Sequence, residues 1–412
     1  MIQINPERLL RDLHTLRSFG AHGNGVVRTT LSDEDIAARE WLLNRMSDAG
    51  LDAHIDGVSN VFGRAPVPGP ALIIGSHSDT QPRGGWLDGA LGVVYGLEIA
   101  RAAREQANTR HFAIDAVSLA DEESSFLSCL GSRSWCGVLD ETLFQKATNA
   151  DGELLTDALA RSGYDARPRT HLERDRYLGY LEAHIEQGPY LEELGLKIGV
   201  VTSIVGIRAC QVRFIGEQNH AGTTPMTRRK DAGVALFEFA TRLRTCFQQL
   251  AGPRTVWTIG DVELLPGAAS IIPGAAHLNL QFRDEDESRL QALSVAVIEL
   301  AEQLASELEI GIDVDAGREP IPPTIMDAGF RDHLAAAASA EVDAAWQMMP
   351  SAAGHDPMVI SHHLPCAMLF IPSINGISHD FAEDSHEADI VTGCQALANG
   401  AARILTAAAN AT

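Results

Sequence analysis

Residues 73–89 read IIGSHSDTQPRGGWLDG, and the start of this stretch decides the fold class. The apolar run over residues 71–74 does not alternate with polar residues, which is the pattern of a parallel strand buried on both faces. Such a strand delivers the next residues of the chain to the carboxyl edge of the sheet, where ligands and reactive groups collect in α/β folds. Here the delivered groups are His77, Asp79 and, after a Gly/Pro-rich loop, Asp88.

Two further apolar runs end in the same way. Residues 112–120 lead into Asp121-Glu122-Glu123, and residues 177–183 lead into His184-Ile185-Glu186-Gln187-Gly188-Pro189. Three consecutive carboxylates repel one another and are costly at a strand end unless solvated or neutralised by cations. A fourth apolar run at 367–371 precedes a loop over 372–385 that contains His379. Between these runs the pattern predicts helices. One is capped by Ser32 with Asp35 in the reciprocal position and closed by Gly50; another covers 89–106, where Gly92 and Gly96 permit close packing on a sheet. Others are expected at 326–340, 356–363 and 386–409.

From residue 207 the character changes. A strand (208–215), a helix (231–250), two strands (255–264 and 276–283), a helix (287–308) and a strand (310–315) make the order βαββαβ, the ferredoxin-like split unit. The Pro-rich run 319–323 reads as the hinge back. The expected organisation is thus an α/β catalytic domain in two parts, 1–206 and 324–412, around an inserted α+β domain, 207–323.

Length and composition agree with this. The chain has 412 residues, more than one hydrophobic core usually serves. It is 45% hydrophobic, without an apolar run long enough for a transmembrane helix. A net charge of −23 argues against nucleic acid or an anionic membrane as partner. It leaves room for a small anionic substrate, because bound metal ions would reverse the local field. The charged N-terminus does not resemble a secretion signal, and six cysteines without metal-ligand spacing fit reduced thiols, so the expectation is a cytoplasmic protein.

A single histidine in any of these loops is more often a surface residue than a ligand. Five ligand-type residues at strand ends, His77, Asp88, Glu123, His184 and His379, reverse that preference. Mixed His/carboxylate sets suit Zn, Mn, Co or Ni. Two ions need a shared carboxylate, and Asp88 on its Gly-flanked loop is the natural bridge. Glu122, beside a ligand without being one, is placed to act as general base, and Asp79 to accept the other N–H of His77.

GSHSDT with GGWLDG, DEES followed by LGSR, HIEQGP, NHAGTTPM with a basic pair before Asp231, GHDPM, and GISH followed by AE resemble, in that order, the hydantoinase/carbamoylase-type amidases. That group includes N-carbamoyl-L-amino acid hydrolases, beta-ureidopropionases and allantoate amidohydrolases, within the aminoacylase/carboxypeptidase superfamily of two-metal hydrolases. The resemblance implies a mixed-sheet, exopeptidase-like catalytic domain and a lid or dimerisation role for the insert. It implies His77, Asp88 and His184 for one ion, and Asp88, Glu123 and His379 for the other, with Glu122 as general acid/base. It further implies that His220 polarises the scissile carbonyl, within one subunit or across a homodimer. Gln187 would contact the amide or ureido group and Arg283 the substrate carboxylate, with Ser270 and Gly376 lining the substrate. A histidine in HIEQGP points to the carbamoylase branch. Ser270 stands where many members have Asn, and Gln281 where an Asp precedes the substrate arginine. The activity implied is hydrolysis of a linear, non-peptide C–N bond in an N-carbamoyl-L-amino acid or related ureido acid. Alternatives are an allantoate-type amidohydrolase, an N-acyl amino acid deacylase, or a non-catalytic binding protein on the same scaffold.

Overall fold

The computed structural model describes residues 1–317 and 319–411. The opening apolar run becomes the strand Ala71–His77, buried at every residue. It runs parallel to Ile114–Leu119 on one side and to Tyr177–Ile185 on the other, with Cys366–Ile371 parallel beyond the latter. Successive strands therefore fall on opposite sides of Ala71–His77. Such a switch point leaves a crevice at the carboxyl ends. Antiparallel strands on the flanks, including Asp52–Ile55, Val61–Arg64 and Ile198–Ile204, complete a nine-stranded mixed sheet.

The helix Ala90–Glu105 begins directly after the Asp88 loop and is buried from Ala90 through Ala103, as its all-round apolar sequence requires. Its close seating depends on Gly96, where a Cβ would stand 2.2 Å from the Ile74 carbonyl oxygen. The helix Asp33–Asp48 opens on a reciprocal cap. Ser32 Oγ accepts the Asp35 amide at 3.2 Å, while Asp35 Oδ2 accepts the amide of Leu31 at 2.9 Å. Pro6–Ser18, Ala328–Val342 and Glu387–Ala411 are further long helices, and Leu9, Leu42, Val93, Leu181, Leu369 and Leu397 share one core.

One expectation is corrected. The helix expected over 356–363 is a single turn, Pro357–Ile360. Pro365 disfavours helical geometry just before it, and the chain must straighten into the strand at Cys366. The strands Ile198–Ile204 and Trp346–Ser351 were not anticipated; the latter pairs with the former and carries Pro350, a residue that marks edge strands.

Contacts divide the chain into Met1–Thr202 with Ile325–Thr412, and Ser203–Thr324. The second unit takes in a few residues beyond 207–323 because Gly206 already pairs with Asp284. Its strands Gly206–Ile215, Val256–Leu265, Ala275–Asp284 and Gly311–Asp315 form an antiparallel sheet. Ala275–Asp284 and Gly206–Ile215 lie at its centre. The helices Ala232–Leu250 and Glu287–Leu308 close a separate core around Val212, Phe214, Phe239, Leu278 and Leu293. This is the split βαββαβ arrangement. A short pairing of Asn219–His220 with Ile271–Ile272 extends from the end where Ile215 meets Ala275.

Candidate metal centre

Central strands bring the ligand-type residues of the first unit together. His77 ends Ala71–His77, and His184 lies one residue from the end of Tyr177–Ile185. Glu122 and Glu123 follow Ile114–Leu119 through a turn in which Asp121 has φ 56°, and His379, with φ 54°, stands on the loop after Cys366–Ile371.

Asp88 is the shared point. Its Oδ1 lies 3.4 Å from His77 Nε2 and 3.1 Å from His184 Nε2, and its Oδ2 lies 3.3 Å from His379 Nε2. Glu123 Oε1 is 3.6 Å from His379 Nε2. Two groups of ligand atoms result, His77–Asp88–His184 and Asp88–Glu123–His379. Glu122 Oε2 stands 3.7 Å from His77 Nε2, beside both groups and outside them.

Tautomers follow from the partners. His77 Nδ1 faces the Asp79 carbonyl oxygen at 3.0 Å and His184 Nδ1 that of Ile185 at 2.9 Å. A carbonyl only accepts, so each ring carries a proton on Nδ1 and turns Nε2 toward Asp88. At Nε2 either a second proton or a cation answers the Asp88 carboxylate. The donor set of three imidazole nitrogens and two carboxylates fits borderline divalent ions.

The acid–base equilibria express the same demand for positive charge. Burial works against a charged His77, yet its hydrogen bond to Asp88 and the charges of Glu122 and Asp79 hold it well above the usual histidine range. His184 is raised for the same reason, burial being outweighed by Asp88. His379 is lifted to about 9, chiefly by its hydrogen bond to Asp88. Asp88 is held well below the carboxylate range, burial being overcome by the three histidines. Glu122 is pushed well above that range by burial, opposed by His77 and reinforced by Asp356, Glu123 and Asp88.

The role expected of Asp79 is corrected at the level of atoms. Its main-chain carbonyl, and not its carboxylate, receives the His77 ring; the carboxylate stands 4.0 Å off. It accepts the amides of Asp121 (3.0 Å) and Glu123 (3.3 Å) instead, so it brackets Glu122, and the fully buried Arg39 lies 3.6 Å from it. Gln187 donates from Nε2 to Asp88 Oδ2 (2.9 Å) and to Ser378 Oγ (3.1 Å). Gly376 abuts the Gly188–Pro189 backbone, where a Cβ would meet Pro189 N at 2.8 Å.

Several contributors were missed from sequence. Gln81 donates to Glu123 Oε2 at 2.8 Å, leaving Oε1 toward His379. His355 packs edge-on against His184 with ring centroids 4.6 Å apart, and Ser378 and Glu383 surround Asp88. All four lie in or beside the family-like motifs, which is the only sequence signal they carry.

His220, Ser270 and Arg283 belong to the second unit. His220 is exposed, and its Nδ1 accepts the amides of Gly222 (3.0 Å) and Thr223 (3.2 Å), so the neutral ring carries its proton on Nε2. Ser270 lies next to it, its carbonyl accepting the Ala221 amide at 2.9 Å. Arg283 is held by Gln281 Oε1, at 3.1 Å from Nε and 3.0 Å from Nη2.

A carboxylate shared by two nitrogen/oxygen ligand groups, at the strand ends of an α/β sheet and with a free carboxylate alongside, is the layout of hydrolases that work with a pair of divalent ions. The chain belongs to the peptidase family M20/M25/M40, which it matches over residues 73–403. It is similar to the crystal structure of an amidase of the hydantoinase/carbamoylase family from Burkholderia phymatum, with 53% identity, a TM-score of 0.94 and 99% of each chain covered. It is 33% identical to an N-carbamoyl-L-amino-acid amidohydrolase from Paenarthrobacter aurescens, covering 90% of this chain and 92% of that one. To an allantoate amidohydrolase from Escherichia coli (strain K12) it is 32% identical, covering 93% and 94%.

Proposed function

We propose that this chain hydrolyses a linear, non-peptide C–N bond in an N-carbamoyl-L-amino acid or a related ureido acid. The ureido group is common to the substrates in the names of the two amidohydrolase relatives, which supports that class. The observation that carries the reading is Asp88, whose two oxygens face separate ligand groups while Glu122 stands beside both.

Two divalent ions (Zn, Mn, Co or Ni), when held by His77, Asp88, His184, Glu123 and His379, supply Lewis acidity at the carbonyl and lower the pKa of a nearby water. Glu122 takes the proton of the attacking water and returns it to the leaving nitrogen as the C–N bond breaks. His220 presents Nε2–H to the carbonyl oxygen as negative charge develops there. Arg283 receives the substrate carboxylate, its fork kept in orientation by Gln281. Gln281 is neutral where an acid would cancel part of that charge. Gln187, Ser270 and Gly376 complete the substrate contacts, and the second unit serves as lid and dimer interface in a cytoplasmic homodimer.

The test is ammonia release from N-carbamoyl amino acids and allantoate, set against turnover of N-acyl amino acids, after chelation and return of Mn, Co, Ni or Zn. Ureido acids are expected to be turned over and simple N-acyl amino acids to be poor substrates. In the Glu122→Gln variant kcat should drop by about 10²–10⁴-fold with metal uptake unchanged. Full activity in that variant would falsify the assigned role.

A further inference from the structure

Asp88 and His379 belong to loops that follow different strands, Ala71–His77 and Cys366–Ile371, yet Asp88 Oδ2 and His379 Nε2 must keep a fixed spacing to share an ion. Glu383 joins the two loops. Its side chain is 1% exposed, Oε1 accepts the amides of Leu87 (3.2 Å) and Asp88 (3.0 Å), and Oε2 lies 2.8 Å from Ser378 Oγ. The same Ser378 hydroxyl is 3.1 Å from Asp88 Oδ2. Asp384, next in the chain, accepts the Trp86 indole N–H at 3.1 Å. Gly85 makes room for this contact, since a Cβ there would stand 1.8 Å from Glu383 Oε1.

We propose that Glu383 is a positioning residue of the metal centre: it fixes the main chain at Asp88 and ties it to the His379 loop, so that Asp88 Oδ2 is held for the ion of the Glu123–His379 group. This rests on the two-metal reading above. Its loss falls unequally on the two ions. His77 and His184 stand on strands locked into the sheet on both sides. His379 is half exposed, with left-handed backbone, on a loop. The Asp88–Glu123–His379 ion is therefore the one that depends on Glu383.

Chelator-stripped wild type, E383D and E383Q are titrated calorimetrically with Co2+ alone, and the visible absorption of the bound ion is recorded. Asp keeps the charge but is one methylene too short to reach both amides and Ser378. Gln keeps an acceptor for the amides and offers a donor to Ser378 Oγ. Wild type is expected to bind two ions, and E383Q two with affinities within about threefold of wild type, while E383D keeps one and binds the second about 10–100-fold more weakly. If E383D does not fold, Ser378→Ala, which leaves the amide contacts in place, is expected to weaken the second ion alone. E383D or, in its place, S378A binding both ions as tightly as wild type overturns the proposal, as does an E383Q that behaves like E383D. A wild type that takes up fewer than two ions is a different failure: it removes the two-metal reading and this role with it.

Discussion

Gly89 shows how narrowly a single residue bounds the metal centre. It follows Asp88 with φ 63°, and a Cβ there would stand 2.4 Å from His77 Nε2 and Cε1, on the edge of the ring that faces the ligand group. Gly89→Ala puts a side chain at a positive φ that L residues rarely adopt and must also push the imidazole aside. Co2+ titration of this variant is expected to show the His77–Asp88–His184 ion weakened by about tenfold or more, with circular dichroism close to wild type; undiminished uptake would show that the ring can move at no cost. At this scale, ligand-type residues were legible because each stands at the end of an apolar strand or on the loop that follows one. The atoms they use were not. Asp79 was readable as a partner of His77, but whether its carbonyl or its carboxylate does the holding depends on how the loop turns. Gln81 reaches Glu123 across 42 residues and Glu383 reaches Asp88 across 295, separations that a linear reading does not join.

Elements carry these residues to the sheet edge, and their packing sets how firmly. The Ala90–Glu105 helix rests on the Ala71–His77 strand through Gly96 against Ile74 and Gly92 against Ala183 and Ser76. Gly96→Ala puts a methyl group 2.2 Å from a main-chain oxygen, so helix and strand must separate. Overpacking of this kind costs about 1–3 kcal/mol. The urea midpoint of the first unit should fall accordingly and metal affinity with it, since both His77 and Asp88 hang from these two elements; a midpoint equal to wild type would mean that the helix slides freely. The small residues in this helix were legible in advance, as were the fully buried parallel strands, whose unbroken apolar runs admit few other readings. Trp346–Ser351 was not, because Pro350 and mixed polarity hide an edge strand. The 356–363 segment failed for a related reason: its local pattern favours a helix, and the demand to enter the next strand overrides it.

At the scale of the whole molecule, the second unit sets a constraint on how substrate is held. His220 lies beyond the end of the sheet where Ile215 meets Ala275, whereas Arg283 pairs with Ile207 near the opposite end. The strand between Ala275 and Arg283 rises about 3.4 Å per residue, which separates these ends by roughly 27 Å. A linear ureido acid is too short to touch both from one copy of this unit. If both contact the same substrate they come from different subunits, which favours a dimer in which each site is completed by its partner. His220→Ala and Arg283→Ala are each expected to reduce kcat/KM by about 10²-fold or more, as loss of an oxyanion donor or a charged clamp does. Mixing the two inactive proteins under conditions of subunit exchange gives the decisive measurement. A mixed dimer has one site with both residues intact and one with neither, so random exchange should restore about a quarter of wild-type activity. Two variants that stay inactive together, after exchange has been verified by mass, would place both residues in one subunit's site or remove one of them from catalysis.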